Sequence, residues 1–196
     1  DDFVDNWNLI RVRVLIGGSG FLGKFFFQYL SKDKKIYSDL ISLRNSDLSR
    51  FKNKFNKLKN KDIFIDTMDP KEISEAFDIN LHNKANLFRK YALENSNEIN
   101  YIYISTSHLY KPCIDVINEN SKIDLDDSPY LEMKFNNERL VEKLCKSNFS
   151  ILRIVNVWDK DQKNSFFGDL LEAQTNKSYI SPRDNDELVI SFANIL

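Results

Sequence analysis

Gly17-Gly18-Ser19-Gly20-Phe21-Leu22-Gly23 lies between the apolar run Val12-Arg13-Val14-Leu15-Ile16 and the segment Lys24-Phe25-Phe26-Phe27-Gln28-Tyr29-Leu30. This order reads as a strand, a glycine turn and a helix. Glycines at 17, 20 and 23 let the backbone turn sharply, approach a ligand's pyrophosphate closely, and pack the helix start against the strand. The N–H groups left unpaired at a helix start, aided by the helix dipole, can hold phosphates. Glycine turns also join strands to helices for geometric reasons alone. The β-branched strand before this one and the apolar helix after it are what point to a phosphate cradle.

Composition narrows the classes. A chain of 196 residues with 42% hydrophobic content is long enough for one domain with a buried core. Lys and Arg number 28 against 29 Asp and Glu, so no net charge draws the chain to nucleic acid or to an anionic membrane. The two cysteines, Cys113 and Cys145, are far apart, and His82 and His108 are the only histidines, so no metal site is expected. The acidic start, Asp1-Asp2-Phe3-Val4-Asp5, is unlike a signal peptide, and no apolar run reaches membrane-spanning length. With free thiols, this leads to the expectation of a cytoplasmic protein.

Beyond the glycine turn, Phe25 to Leu30 is expected to be a helix with its aromatic side against the sheet, and Asp39 to Leu43 the second strand. In a dinucleotide fold the residue closing that strand faces the adenosine ribose, where a carboxylate favours NAD and an arginine favours NADP. Here it is Arg44. Leu48, Phe51, Phe55 and Leu58 recur at helical spacing with lysines between them, which reads as a helix packed on the sheet with a solvated cationic side. Lys61 to Asp66 reads as the next strand, and the loop Thr67-Met68-Asp69-Pro70 leaves it where open α/β sheets bind ligands. Ile79 to Glu94 is patterned as a helix, with His82 a structural residue inside it, and Tyr101 to Ile104 as a strand opening onto Ser105-Thr106-Ser107.

Hydroxyls at a strand end can polarise a substrate oxygen at the mouth of the sheet. Downstream, Ser128-Pro129-Tyr130 begins a helix that places Tyr130 and Lys134 one turn apart on one face. An ammonium beside a phenol stabilises the phenolate, so Tyr130 could exchange a proton with a carbonyl or carbinol oxygen as hydride moves. Lys134 could also hold the nicotinamide ribose.

This ordered set resembles the extended branch of the short-chain dehydrogenase/reductase superfamily, the epimerase, dehydratase and reductase enzymes of nucleotide sugars. The resemblance runs from Val12 to about Leu170. It rests on the glycine motif, on Ile104-Ser105-Thr106-Ser107-His108-Leu109-Tyr110 as the Ser/Thr strand, and on Tyr130 through Lys134 as the Tyr/Lys helix. Asn80 with Asn86-Leu87, and Leu152-Arg153-Ile154-Val155-Asn156-Val157, are similar to the segments flanking those motifs. It implies a Rossmann-like α/β fold, a doubly wound parallel sheet flanked by helices. It further implies NADP or NAD held by Gly17, Gly20, Phe21, Leu22, Gly23, Arg44, Thr67 and Lys134. Thr106, Tyr130 and Lys134 would be catalytic, with Ser107 and Asn156 near a nucleotide-linked sugar. A homodimer is common in the superfamily.

The departures from the family pattern shape the expectation further. One helix and no clear strand lies between Arg44 and Asp62, so the sheet is expected to be one strand short. Asn83 and Lys84 stand where the family has Gly-Thr, and Trp158-Asp159 where it has Tyr-Gly. Ser107 and His108 replace the Asp-Glu of the dehydratases, which disfavours dehydration. The chain stops at Ile190 to Leu196, about where the next buried strand is expected, so it is either a fragment or an enzyme with a minimal substrate lobe. The resulting expectation is one NAD(P)-binding domain over 1–196, with a substrate region starting over 159–196. Its reaction would be reduction of a 4-keto nucleotide sugar, with epimerisation or cofactor sensing without catalysis as the alternatives.

Overall fold

The computed structural model describes residues 12–69, 78–110, 117–125, 127–146, 148–158 and 192–194, the last three and 156–158 by backbone alone. The chain divides into two compact units, Asp1–Leu152 and Arg153–Leu196. The elements of the first alternate: β1 (Val12–Gly17), α1 (Phe21–Leu30), β2 (Ile36–Ile41), α2 (Leu48–Phe55), β3 (Ile63–Asp66), α3 (Ile79–Glu94), β4 (Asn100–Thr106) and α4 (Pro129–Leu144). A single 3-10 turn, Ser107–Leu109, follows β4 directly, and β5 spans Phe149–Ile154. In the second unit a short parallel pair is formed by β6 (Asn156–Trp158) and β7 (Phe192–Asn194).

The five-stranded sheet has the order β2-β1-β3-β4-β5, with β1 parallel to β2 and β3, and β3 parallel to β4. This is the Rossmann-like doubly wound arrangement. Among the described residues only α2 fills the stretch between β2 and β3, so β2 forms the sheet edge and the sheet lacks a strand there, as its sequence led us to expect. The winding reverses at β1, whose neighbours are β2 on one side and β3 on the other. Parallel sheets bind ligands in the crevice at such a reversal, at the carboxyl ends of the strands. Here the crevice lies between Gly17, which ends β1, and Asp66, its register partner at the end of β3.

The core explains why these segments form these elements. Val14, Leu15 and Ile16 are consecutive and all buried, as expected for a strand covered on both faces. Asp47 caps α2 through its carboxylate, accepting the Arg50 N–H at 2.7 Å, and Asp78 caps α3 by accepting from Asn80 and Leu81. Phe51 and Phe55 of α2 are buried, with Phe51 stacked on Phe88 at 4.5 Å between centroids and edge-on to Phe64. The lysines of the same helix face outward or sideways. Lys54 pairs with Asp39 at 2.7 Å, and Lys52 lies over the Tyr91 ring.

Two local readings are corrected. The aromatic side of α1 is only partly covered. Phe25 stacks on Tyr29, whose ring is exposed, and among the α1 residues only Gly23 is fully buried. The second strand is Ile36–Ile41 rather than Asp39 to Leu43, because Leu43 leaves the strand and turns into the core. Arg44 therefore stands three residues beyond the strand, exposed in the turn that follows it.

Phe51 is in contact with four other rings and has no exposed surface. Phe51→Ala is expected to lower the unfolding free energy by about 3–5 kcal/mol, read from urea denaturation of the two proteins.

Candidate active site

The geometry of the turn demands glycine at two of its positions. Gly18 has φ +102°, a left-handed conformation that glycine adopts without strain. A Cβ at Gly23 would lie 1.9 Å from the Gly18 carbonyl oxygen, so the helix can start this close to the strand only with glycine there. Thr67 completes the frame: its backbone N–H and its hydroxyl both donate to the Gly17 carbonyl, at 2.9 and 2.8 Å. Gly20 differs, since a Cβ there would meet nothing within 4 Å. It is the N-cap of α1, and neither a side-chain cap nor an acidic residue in the first turn occupies the helix start. The first intrahelical bond is donated by Lys24 to Gly20. The N–H groups of Phe21, Leu22 and Gly23 therefore lack helical acceptors, which suits a phosphate. The donor set and the open space over Gly20 fit the pyrophosphate of a dinucleotide.

The loop carrying Arg44 leaves β2 beside this turn, since Ile41 is the register partner of Gly17 and accepts the Gly18 N–H at 3.0 Å. Arg44 is thus an exposed cation in the turn beside the glycine motif.

On the other side of the crevice, β4 extends through Ser105 and Thr106, two residues further than the sequence pattern suggested. Thr106 is buried, and its Oγ1 accepts the His108 N–H at 3.3 Å, capping the 3-10 turn. Ser107 is half-buried in that turn, and the neighbouring Ser105 is buried. Helix α4 packs against both β4 and the 3-10 turn. Its start is set by Ser128, whose hydroxyl accepts the Leu131 N–H, and by Pro129 in the first turn. Tyr130 is half-buried near this start. The Lys134 ammonium lies 5.8 Å from the centre of the Tyr130 ring and donates to the Ile104 carbonyl at 2.9 Å, two residues before Thr106. Thr106, Tyr130 and Lys134 are therefore gathered at the carboxyl end of β4. Asn156 lies in β6, and its side chain is outside the described residues.

The sequence reading did not foresee what Lys134 also touches. Its ammonium pairs with Asp69 at 2.9 Å, inside a buried set of charges. The Asp69 carboxylate accepts from Arg89 at 2.6 Å, from Asn137 at 3.0 Å and from the Tyr103 hydroxyl. Arg89 also pairs with Asp66 at 2.7 Å, and Asp66 accepts the Tyr101 hydroxyl at 2.7 Å. Two carboxylates thus face one guanidinium and one ammonium, with formal charges that cancel.

The electrostatics follow from this balance. Burial pushes Asp69 up, but the Arg89 and Lys134 cations, with the Tyr103 and Lys134 hydrogen bonds, together hold it well below the usual carboxylate range. Burial pulls Arg89 down, yet Asp66 and Asp69 raise it well above its ordinary value. Burial, reinforced by the adjacent carboxylates, pushes the Tyr101 and Tyr103 hydroxyls up, so both remain donors. His82, on the same helix as Arg89, is lowered chiefly by burial. A signal for the cluster was present in the sequence. Arg89 falls on the core stripe of α3 with Ala85, Phe88 and Ala92, and Asp66 ends an apolar strand.

Comparison with known proteins bears on the fold. No protein-family model and no curated protein matches the sequence. Solved structures do match. UDP-glucose 4-epimerase from Thermus thermophilus, in complex with NAD, superposes with a TM-score of 0.71 at 13% identity, over 93% of this chain and 70% of that one. A dTDP-4-dehydrorhamnose reductase from Bacillus anthracis, in complex with NADP, gives 0.70 at 17% identity, over 87% and 62%. UDP-glucuronic acid 4-epimerase from Bacillus cereus, with UDP-glucuronic acid and NAD, gives 0.64 at 17% identity, over 85% and 64%. The chain thus shares the fold of nucleotide-sugar epimerases and reductases, and spans less than two thirds of the length of the latter two. Among the described residues, no helix is long and apolar enough to cross a membrane.

Arg89→Met leaves two buried carboxylates facing one cation. It is expected to cost about 3–5 kcal/mol at pH 7, measured by urea unfolding. In the parent protein the depressed Asp69 contributes stability that is full above about pH 4 and is lost as the pH falls below that. In the variant the carboxylates protonate at higher pH, so the gap between the two proteins is expected to narrow on acidification.

Proposed function

We propose that this chain is an NAD(P)-dependent oxidoreductase that reduces a 4-keto nucleotide-linked sugar, with NADP as the preferred cofactor. The observation that carries this reading is the pairing, across one crevice, of an uncapped glycine helix start with Tyr130 and Lys134 at the end of β4. The phosphates would be held by the N–H groups of Phe21, Leu22 and Gly23, with Gly17 and Gly20 allowing the approach and Thr67 bracing the turn. Arg44 would meet the 2′-phosphate, and Lys134 the nicotinamide ribose. When bound, the reduced cofactor supplies the hydride. Tyr130 gives its hydroxyl proton to the substrate oxygen as the carbonyl carbon is reduced, and Lys134 stabilises the phenolate left behind. Thr106 hydrogen-bonds the same oxygen and polarises it. Ser107, in the turn that follows β4, would meet the sugar nucleotide. The sharing of fold with enzymes crystallised with NAD, NADP and a nucleotide sugar supports the choice of substrate class.

One observation favours a second reading. The Lys134 ammonium is already paired with a buried carboxylate, as suits a dinucleotide-binding protein that retains the fold without turnover.

Fluorescence titration with NADPH and NADH in parallel tests the first reading. NADPH is expected to bind at least about tenfold more tightly, and Arg44→Ala to remove that preference, because one charge-assisted phosphate contact is worth about 1.5–3 kcal/mol. Gly20→Val, whose Cβ would have no atom within 4 Å outside its chain neighbours, is expected to keep the unfolding midpoint and lose the binding of both. Tyr130→Phe is expected to keep binding and abolish NADPH oxidation with a 4-keto nucleotide sugar. Unchanged biological activity in that variant would instead establish the second reading.

A further inference from the structure

Lys134 has three N–H donors, and the described residues engage two of them, with the Ile104 carbonyl and with Asp69, each at 2.9 Å. The ammonium is therefore fixed in direction, with one donor left for a ligand or for Tyr130. It is also not a free charge, because Asp69 lies beside it with its side chain 4% exposed. In a buried setting an ion pair is felt by a third group as the difference between two opposed fields, which is far weaker than either alone. We propose that Asp69 is a positioning residue that holds Lys134 in place and offsets its charge, so that the acidity of Tyr130 is set by the Asp69–Lys134 pair rather than by a lone ammonium.

The surroundings support this assignment. The loop after β3 contributes Asp69 itself; α3 contributes Arg89 and His82; β4 contributes Tyr103; and α4 contributes Asn137 along with Lys134. Arg89 anchors one Asp69 oxygen at 2.6 Å, leaving the other for Lys134 and Tyr103. With both oxygens held from several elements, the carboxylate cannot swing away from the ammonium without breaking the Arg89, Asn137 or Tyr103 bonds. Arg89 in turn is held in place by Asp66, so the β3 end fixes the position of a side chain on α4 through three successive ion pairs. The inference rests on the reading of Tyr130 as the proton donor, but its test requires neither cofactor nor substrate.

The test is a spectrophotometric titration of tyrosinate in the full chain, repeated with Tyr130→Phe so that the difference isolates Tyr130. Asp69→Asn removes the opposing charge and leaves the ammonium, so the Tyr130 titration is expected to move down by about one pH unit or more. Lys134→Met removes the cation and is expected to move it up. The double change Asp69→Asn with Arg89→Gln deletes one charge of each sign, preserves the cluster's neutrality, and is expected to shift Tyr130 downward as well. It serves if Asp69→Asn alone does not fold. A Tyr130 titration in either folded Asp69 variant that coincides with the parent's overturns the proposal. Absence of NADPH binding would overturn the cofactor reading and leave this titration unaffected.

Discussion

Arg89 holds the site together. Its guanidinium lies between Asp66, at the end of β3, and Asp69, in the loop that follows, and Asp69 carries the connection on to Lys134 of α4 and Tyr103 of β4. The end of β3 with its loop, α3 and α4 are thereby fixed against one another by ion pairs, and β4 joins them through the Tyr103 hydroxyl. Buried charges are costly to desolvate, and the arrangement persists because each carboxylate faces a cation and also accepts hydrogen bonds from neutral donors. Apolar packing alone could bring α3 and α4 onto the sheet. It would not dictate where the Lys134 ammonium stops.

The glycine turn is the counterpart on the other side of the crevice, and it is governed by sterics rather than charge. Gly18 and Gly23 are required by the fold itself, one by its left-handed φ and the other by its contact with the Gly18 carbonyl. Gly20 is under no such demand, and the space above it is open. A position where glycine is unnecessary for folding, at an uncapped helix start beside the sheet's reversal, is a physical sign of a ligand. The same reasoning separates Thr67, whose hydroxyl braces the turn, from Arg44, which projects into solvent beside it.

Much of this was legible in the sequence, and the remainder was hidden for identifiable reasons. Periodicity located α3 to the residue, and a strand too few between Arg44 and Asp62 was readable because a single amphipathic helix fills that interval. The glycine motif and the Tyr130/Lys134 spacing depend on local geometry, which a sequence carries directly. The partial cover of α1 was not readable, because aromatic spacing says which side is apolar and not what lies over it. The charge cluster was missed because its members lie far apart in sequence: Asp66 and Arg89 are separated by 23 residues, and Asn137 from Asp69 by 68. Only the folded sheet makes them neighbours. Arg89 on an otherwise apolar helix stripe and Asp66 at the end of an apolar strand were the local clues.

The central claim is that one crevice joins the glycine turn to the Tyr130 and Lys134 end of β4 and α4. The most direct measurement is a backbone amide NMR titration of the isotope-labelled chain with NADPH. The expected result is a joint shift, with one saturation curve, of the amides of Gly18 to Gly23 and of those around Thr106 and Lys134. Shifts confined to residues remote from both segments, or two sets saturating at different concentrations, would contradict it.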